Sequence, residues 1–255
     1  MGSFFNNSVH SSGRFGLWIF PSYTPTVTGG CRDNKASVAK FSNFISWSND
    51  KGAEFVESNT IQFKNFTVWD HYTHGIATNS IISNSNANSA YSNLFYDQKS
   101  GTSIEDSTII GNSLNNAKSY TPHGIVIAWD RGQLVNNVTF YNFPEPTTSA
   151  FIAPFIAGKC TDQCGGWTTQ FKSLTFNNVN KRTLHRWNWD LIYHDLDGSL
   201  SSSGLPGDVI VSKDNLTLNN PNCKESSFFN NGLVCSNTKT WIRFVNFLFI
   251  FRIIY

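Results

Sequence analysis

The sequence predicts an all-β fold, a parallel β-helix wound as a single domain, and three observations predict it. Lys40 to Ala77 holds an internal repeat. Phe41 aligns with Phe63, Asn43 with Asn65, Phe44 with Phe66 and Trp47 with Trp69, all at an offset of 22 residues, and Gly52 meets Gly75 after a one-residue slip. Each copy is a Phe/Val/Ile/Trp run of period two bounded by Asn, Asp and Gly, which is the pattern of strand and turn. A strand-forming unit of this length, repeated, is the mark of a solenoid coil. The second observation is the 30 Asn among 255 residues. Asn forms helices poorly, suits left-handed turn positions, and in stacked coils hydrogen-bonds to its counterparts above and below. A biased base composition is the plain alternative for this excess. The third observation is the lack of any amphipathic helical pattern longer than about two turns.

In chain order, Gly16 to Tyr23 reads as a strand closed by Pro21, and Thr24 to Asn34 as a loop. The paired coils follow, then a Ser- and Asn-rich stretch from Ile81 to Ser92, a thin coil or a surface loop. Ser103 to Asn112 and His123 to Trp129 read as strands; HGIV at 123–126 echoes HGIA at 74–77, with the glycines marking turns. Leu134 to Phe143 and Phe171 to Val179 repeat the earlier theme. The insert from Pro144 to Trp167 between them reads as a loop in which Phe151 to Ala157 is a candidate strand. Trp187 to His194 is an aromatic strand running into a tight turn at Asp195–Ser199. Asp208 to Leu218 carries further strands, and Cys223 and Cys235 frame a loop.

Composition bounds the function. Hydrophobic residues make up 40% and charged residues 14%, with 22 Phe and 8 Trp, so the chain has ample core and is not a disordered segment. A net charge of +2 without a basic run gives no electrostatic footprint for nucleic acid. Five Cys, at Cys31, Cys160, Cys164, Cys223 and Cys235, and four N-x-S/T sequons, at Asn6, Asn65, Asn137 and Asn215, favour an oxidising, extracellular setting. Spacing allows a local disulfide between Cys160 and Cys164 and a longer one between Cys223 and Cys235, leaving Cys31 odd. Asn215 is the safest glycosylation candidate; Asn65 and Asn137 occupy repeat positions that an inward orientation would close to a glycan. Residues 1–12 have no basic start and apolar core of a signal peptide. The apolar end from Phe244 to Tyr255 is interrupted by Arg252 and too short for a membrane span. Any membrane association is therefore expected through parts of a longer parent chain.

The runs RFGLWIFPSYTP (14–25), SWSNDKGAEF (46–55), CGGWTTQFKSLTF (164–176) and HDLDGSL (194–200) resemble the fibrocystin-L family of large cell-surface proteins. The D-x-D-G-S turn followed by two spaced cysteines is also similar to the hyaluronan-depolymerising CEMIP and transmembrane-protein-2 group. The resemblance covers about Arg14 to Trp241 and implies a right-handed parallel β-helix in an extracellular segment of a much longer chain. It fails after Phe244. Residues 1–243 are thus expected to form one β-helix repeat domain and residues 244–255 an apolar tail outside it, read as a mis-predicted coding segment.

Each candidate site has a structural alternative. Asp195 and Asp197 offer oxygens suited to Ca²⁺, the one ion the sequence suggests, but the loop lacks the further acidic ligands of an EF-hand; the alternative is a turn whose carboxylates accept backbone N–H groups. Asp70, His71, His74, His123, Asp130 and Arg131 fall at similar places in successive coils. Stacking them on one face would assemble groups for acid–base attack on a polysaccharide; the alternative is exposed turn residues. His185, Arg186, Asp190 and His194 form a second such set. Trp18, Trp47, Trp69 and Trp129 read as core, whereas Trp167, Trp187 and Trp189 are candidates for sugar stacking or for core. The spacings do not suit zinc. Two functions follow. One is a non-catalytic extracellular module for adhesion or for recognition of a protein or glycan ligand. The other is a carbohydrate-active β-helix, hydrolase or lyase, acting on hyaluronan-like or other polysaccharides.

Overall fold

A computed structural model describes residues 4–30, 33, 37–81, 101–114, 120–128, 133–152, 169–184, 192–213, 219–236, 241–246 and 249–254. Among them there is no helix, and the strands stack as successive coils. Strands β1 (Phe4–His10) and β2 (Phe15–Tyr23) form the first coil and β3 (Ala39–Trp47) and β4 (Lys51–Ser58) the second. The third holds β5 (Ile61–Trp69) and β6 (His74–Ile81), the fourth β7 (Ser103–Ile110) and β8 (His123–Val126), and the fifth β9 (Leu134–Phe143) and β10 (Ser149–Ile152). A sixth contains β11 (Thr169–Lys172), β12 (Thr175–Val179) and β13 (Thr183–Leu184). Then come β14 (Ile192–Asp195), β15 (Asp208–Ser212), β16 (Cys223–Glu225), β17 (Phe229–Asn230), β18 (Gly232–Cys235), β19 (Trp241–Asn246) and β20 (Phe249–Ile254).

The first strand of each coil joins an 11-stranded sheet in the order β1-β3-β5-β7-β9-β11-β14-β15-β18-β16, with β12 also on β9; the second strands form a 7-stranded sheet from β2 to β17. Pairing is parallel throughout the smaller sheet and as far as β14 in the larger one. This is a parallel β-helix, as the repeat predicts. Phe41 pairs with Phe63 and Trp47 with Trp69 on neighbouring strands, and Gly52 sits beside Gly75, between the pairs Lys51/His74 and Ala53/Ile76.

The core lies between the two sheets and is built by columns. Phe4, Phe41, Phe63, Ile104, Val135 and Phe171 stand in register on six strands. Phe41 and Phe63 meet edge to face at 5.7 Å, and Phe44 and Phe66 pack at a tilt of 53° with their rings 5.1 Å apart. Such aromatic pairs add to the burial of their area. The smaller sheet makes room through a column of small residues. A Cβ on Gly52 would lie 2.4 Å from the Gly75 carbonyl oxygen, and one on Gly75 2.6 Å from that of Gly124. Gly75 and Gly124 therefore do not mark turns, as the sequence suggests; they sit inside β6 and β8, where the next coil's backbone occupies the space of a side chain.

Other expectations need correction. Pro21 does not end its strand: β2 runs on to Tyr23, because β2 is the edge of its sheet, where a missing N–H interrupts no ladder. The segment 171–179 is two strands broken at Ser173, which adopts a φ of 54°. Of the tryptophans expected in the core, the three that are described, Trp18, Trp47 and Trp69, lie outside it. Trp18 is 43% exposed, and Trp47 and Trp69 are half-buried on the outer face, stacked on each other at 5.0 Å. Alternation places them there, because Phe66 and Val68 already fill the inner positions of β5. Finally, the parallel winding does not run to the end. β14–β15, β15–β18 and β18–β16 are antiparallel. Residues 241–246 and 249–254 form a separate antiparallel pair, so part of the expected apolar tail is strand. Phe151 to Ile152 lies in β10; the rest of that candidate strand, and most of the stretch 81–92, fall outside the described residues.

Candidate functional site

The outer face of the large sheet is organised by a left-handed residue in each of the first six coils, inside β1, β3, β5, β7 and β9 and between β11 and β12. Asn6, Asn43, Asn65, Asp106, Asn137 and Ser173 all have φ between 50° and 57°. Asn and Asp tolerate this conformation better than other residues with a side chain. The kink brings their side chains into a ladder. The Asn43 amide donates to Asn6 Oδ1 at 3.1 Å, that of Asn65 to Asn43 Oδ1 at 2.7 Å, and that of Asn137 to Asp106 Oδ1 at 2.8 Å. Lys64 lies 3.2 Å from the other Asp106 oxygen, and the Asn137 bond, with Lys64 adding to it against partial burial, holds the Asp106 carboxyl below its usual range. Each ladder amide uses one donor toward its neighbour, leaving its second N–H for solvent or ligand.

Two positions on, the same strands carry Ser8, Ile45, Thr67, Thr108, Thr139 and Thr175 in one column. The hydroxyls of Thr67, Thr108, Thr139 and Thr175 make no hydrogen bond within the described residues. The next outward column is His10, Trp47, Trp69, Ile110 and Tyr141. His10 stacks on Trp47 at 4.3 Å. The ring faces of Trp47 and Trp69 are turned to each other, at an interplanar angle of 1°, so the column offers a ridge of ring edges. Between amide ladder and aromatic ridge lies a shallow open groove of 420 Å³ lined by Asn6, Asn7, Ser8, Asn43, Ile45, Asn65 and Thr67, without an ionised side chain.

Asn65 and Asn137 face outward, contrary to the inward alternative, and both are exposed with their amide nitrogens in the ladder. Their sequons are rungs of the repeat: a left-handed Asn, an inward Phe or Val, and an outward Thr. Asn215 lies outside the described residues.

The proposed acid–base groups separate into two environments. Asp70 and His71 sit at a corner of the coil and are 3% and 0% exposed. The Asp70 carboxylate accepts the Ser113 N–H at 2.8 Å and its hydroxyl at 2.5 Å. His71 accepts the Asn49 N–H on Nδ1, its backbone N–H donates to Thr121 Oγ1, and burial lowers its pKa to about 4. His74 and His123 instead form a register pair on the small sheet, their rings 5.9 Å apart, with Lys51 before them and Ser149 after. Burial, with His123 and Lys51 adding to it, lowers the His74 pKa to about 3. Lys51 pairs with Glu54, and the His123 ring lies 3.1 Å from Ser149 Oγ. Asp130, Arg131, His185, Arg186 and Asp190 are outside the described residues, as are Trp129, Trp167, Trp187, Trp189, Cys31, Cys160 and Cys164.

The D-x-D-G-S turn is fully engaged by the fold. Asp195 is 0% exposed and accepts the N–H groups of Leu200 at 3.2 Å and Ser201 at 2.7 Å. Asp197 accepts those of Ser199 at 3.0 Å and Ser173 at 2.7 Å. All four carboxylate oxygens thus hold backbone donors. Burial raises the Asp195 pKa; burial also acts upward on Asp197, but the bonds from Ser199 and Ser173 bring it below its usual range. Arg182 lies between the rings of Phe176 and Phe228, at 4.4 and 4.2 Å, and donates to the carbonyls of Ser199 and Leu200. No cluster of three or more His, Cys, Asp or Glu suited to a metal occurs among the described residues. Cys223 and Cys235 form a disulfide joining β16 to β18 directly. No helix among the described residues is long and apolar enough to cross a membrane.

Sequence reasoning missed the threonine column and the aromatic ridge. Their signal was present: N-F-T, D-S-T, N-V-T and S-L-T recur at 65, 106, 137 and 173.

No family model matches the chain. It is 33% identical to human fibrocystin-L and 34% identical to mouse fibrocystin-L over 214 residues, 83% of this chain and 5% of each relative. It is 28% identical to mouse fibrocystin over 199 residues, 78% of this chain and 4% of that protein. The chain therefore spans about one twentieth of the length of the relatives it matches.

Proposed function

Because this chain is a fibrocystin-L-like region, we propose that it is a non-catalytic extracellular β-helix module serving adhesion or ligand recognition, with the outer face of its large sheet as the contact surface. The observation that carries this reading is the column of four threonine hydroxyls without partners in the described residues, set between the amide ladder and the aromatic ridge. Thr73, Thr78, Thr102 and Thr148 donate to carbonyls, and Thr60 and Thr169, whose hydroxyls lack a partner, are buried; the column on the large sheet is instead partly or fully exposed. A rigid solenoid presents such a face without further ordering on binding. The disulfide supports an oxidising compartment. Asn65 and Asn137 are accessible to glycosylation, although a glycan there withdraws an amide from the ladder, and membrane association belongs to other parts of the parent chain.

The test is binding of the secreted, folded chain to intact cells. Thr108→Lys on the large sheet should abolish it, whereas Lys181→Glu at the small sheet should not. Equal binding by both variants would reject the face.

The alternative is a polysaccharide hydrolase or lyase on the small sheet. The Ser149–His123 contact beside His74 favours it, but Ser149 is fully buried and the adjacent carboxylate, Glu54, is held by Lys51. Reducing-end release from a polysaccharide panel, lost on His123→Ala, would establish this reading instead.

A further inference from the structure

We infer that the groove of the large sheet takes a neutral, extended glycan chain lying along the solenoid axis, across the strands; this rests on the reading of that face as the contact surface. The two sides of the groove differ in chemistry. One is lined by the amide ladder of Asn6, Asn43 and Asn65; beyond the other, two positions further along the same strands, stands the apolar edge of Trp47 and Trp69. Between them run Ser8, Ile45 and Thr67, and the same register column continues past the groove as Thr108, Thr139 and Thr175. A pyranose chain has the matching construction. Its ring edges carry hydroxyls that both donate and accept, and its C–H surfaces are apolar.

Threonine hydroxyls and spare amide N–H groups complement such hydroxyls, which bridging water also reaches. The ridge covers the C–H side without requiring open ring faces, which Trp47 and Trp69 spend on each other. Register adds a second match. Strands of a sheet lie about 4.8 Å apart, and an extended β-1,4-linked pyranose chain advances by nearly the same distance per residue, so successive sugars meet successive rungs.

Charge selects the class. The groove lining holds no ionised group, and where the ladder continues beyond it Asp106 is paired with Lys64. An acidic polymer finds no cation to exchange for its counterions, whereas a neutral one loses no ionic hydration on entering.

The experiment is titration calorimetry of the folded chain, prepared without N-glycans because Thr67 and Thr139 complete the Asn65 and Asn137 sequons, with neutral β-1,4-linked oligosaccharides (cello- and chito-oligomers of increasing length) and with hyaluronan and heparan sulfate fragments. Neutral oligomers should bind, with affinity rising with length until the rungs are covered and changing little with salt. Thr67→Val with Thr139→Val keeps shape and strand preference while removing two hydroxyls, and should weaken binding at least roughly tenfold, the scale of about one lost hydrogen bond, with an unchanged melting temperature. Two results overturn the glycan and leave the face standing: only acidic fragments bind, with strong salt dependence, or a protein ligand is lost on Thr108→Lys while no neutral oligomer binds. Neutral binding that survives the double valine variant overturns both the glycan groove and the face.

Discussion

The parallel coils and the antiparallel end of the large sheet are held together by different means. In the coils, like sits on like: Phe41 on Phe63, Trp47 on Trp69, Asn43 on Asn65 and Gly52 beside Gly75. Each contact satisfies one layer and offers the same surface to the next, so nothing in the repeat says where to stop. At β14 the register partner of Phe171 is Asp195, a buried carboxylate topping an apolar column. There the chain turns back on itself, and hydrogen bonds, Arg182 and a disulfide take over. Stacking makes length inexpensive, whereas closing the stack takes a purpose-built polar cluster, in keeping with the need to manage an open sheet edge.

The largest expected effect comes from breaking a column. Phe63→Ala leaves a cavity against Phe41, Phe55 and Phe66 and should cost about 4 kcal/mol in denaturant unfolding. Removing Leu233, in the small cluster under the antiparallel strands, should cost less, about 2–3 kcal/mol. Equal costs would remove the distinction between the regions.

Acid should separate the two regions next. His71 is neutral in the folded chain, with a pKa near 4, and unfolding returns it to about 6.5. Its contribution is therefore complete above pH 6.5 and is lost as pH falls from there toward 4, about 3 kcal/mol in all. Asp195 has the opposite sign. Its raised pKa favours the folded state below the unfolded value, and this contribution is lost as pH rises through the folded one. His71→Asn, which keeps an acceptor for the Asn49 N–H, should reduce the slope of stability between pH 6.5 and 4, leaving the part that His74, lowered to about 3, contributes over the same range. An unchanged slope would show that His71 is not the group responsible.

Replacing Cys223 and Cys235 by alanine should cost roughly 2–3 kcal/mol. Hydrogen exchange should rise in β15, β16 and β18 before it rises in β3, β5 and β7; a uniform rise would make the end part of one cooperative unit. The smallest effect concerns the ladder. Asn65→Ala places a non-glycine side chain at a φ of 57° and removes an amide bond, about 1–2 kcal/mol together. Asn65→Gly loses the bond but not the conformation and should cost about half as much. Melting temperatures of the two variants distinguish strain from hydrogen bonding.

Much of the coil was legible because the repeat writes register directly: Phe41/Phe63 and Trp47/Trp69 are true neighbours. The Asn excess likewise points to the ladder. What was not legible depends on which face a residue takes. Trp47 and Trp69 read as core by hydrophobicity, yet period two assigns them outward once the kink at Asn43 and Asn65 resets the alternation. Gly75 and Gly124 read as turns, because a sequence does not display the carbonyl of the next coil. Asp70 and His71 read as a reactive pair, and only burial shows them as corner residues. The reversal at β14 leaves no trace in composition, since Ile192–Asp195 and Asp208–Ser212 look like any other strands.

The central claim is that successive coils lie in parallel register, and cross-linking tests it most directly. Thr67→Cys with Thr108→Cys places two thiols on adjacent strands, about 4.8 Å apart between Cα atoms, within disulfide range. Thr67→Cys with Thr139→Cys places them two strands apart, out of reach. Under mild oxidation, peptide mass mapping should find the 67–108 bridge in the folded chain and no 67–139 bridge. A 67–139 bridge, or no 67–108 bridge in a chain that remains folded, would contradict the stacked-coil architecture.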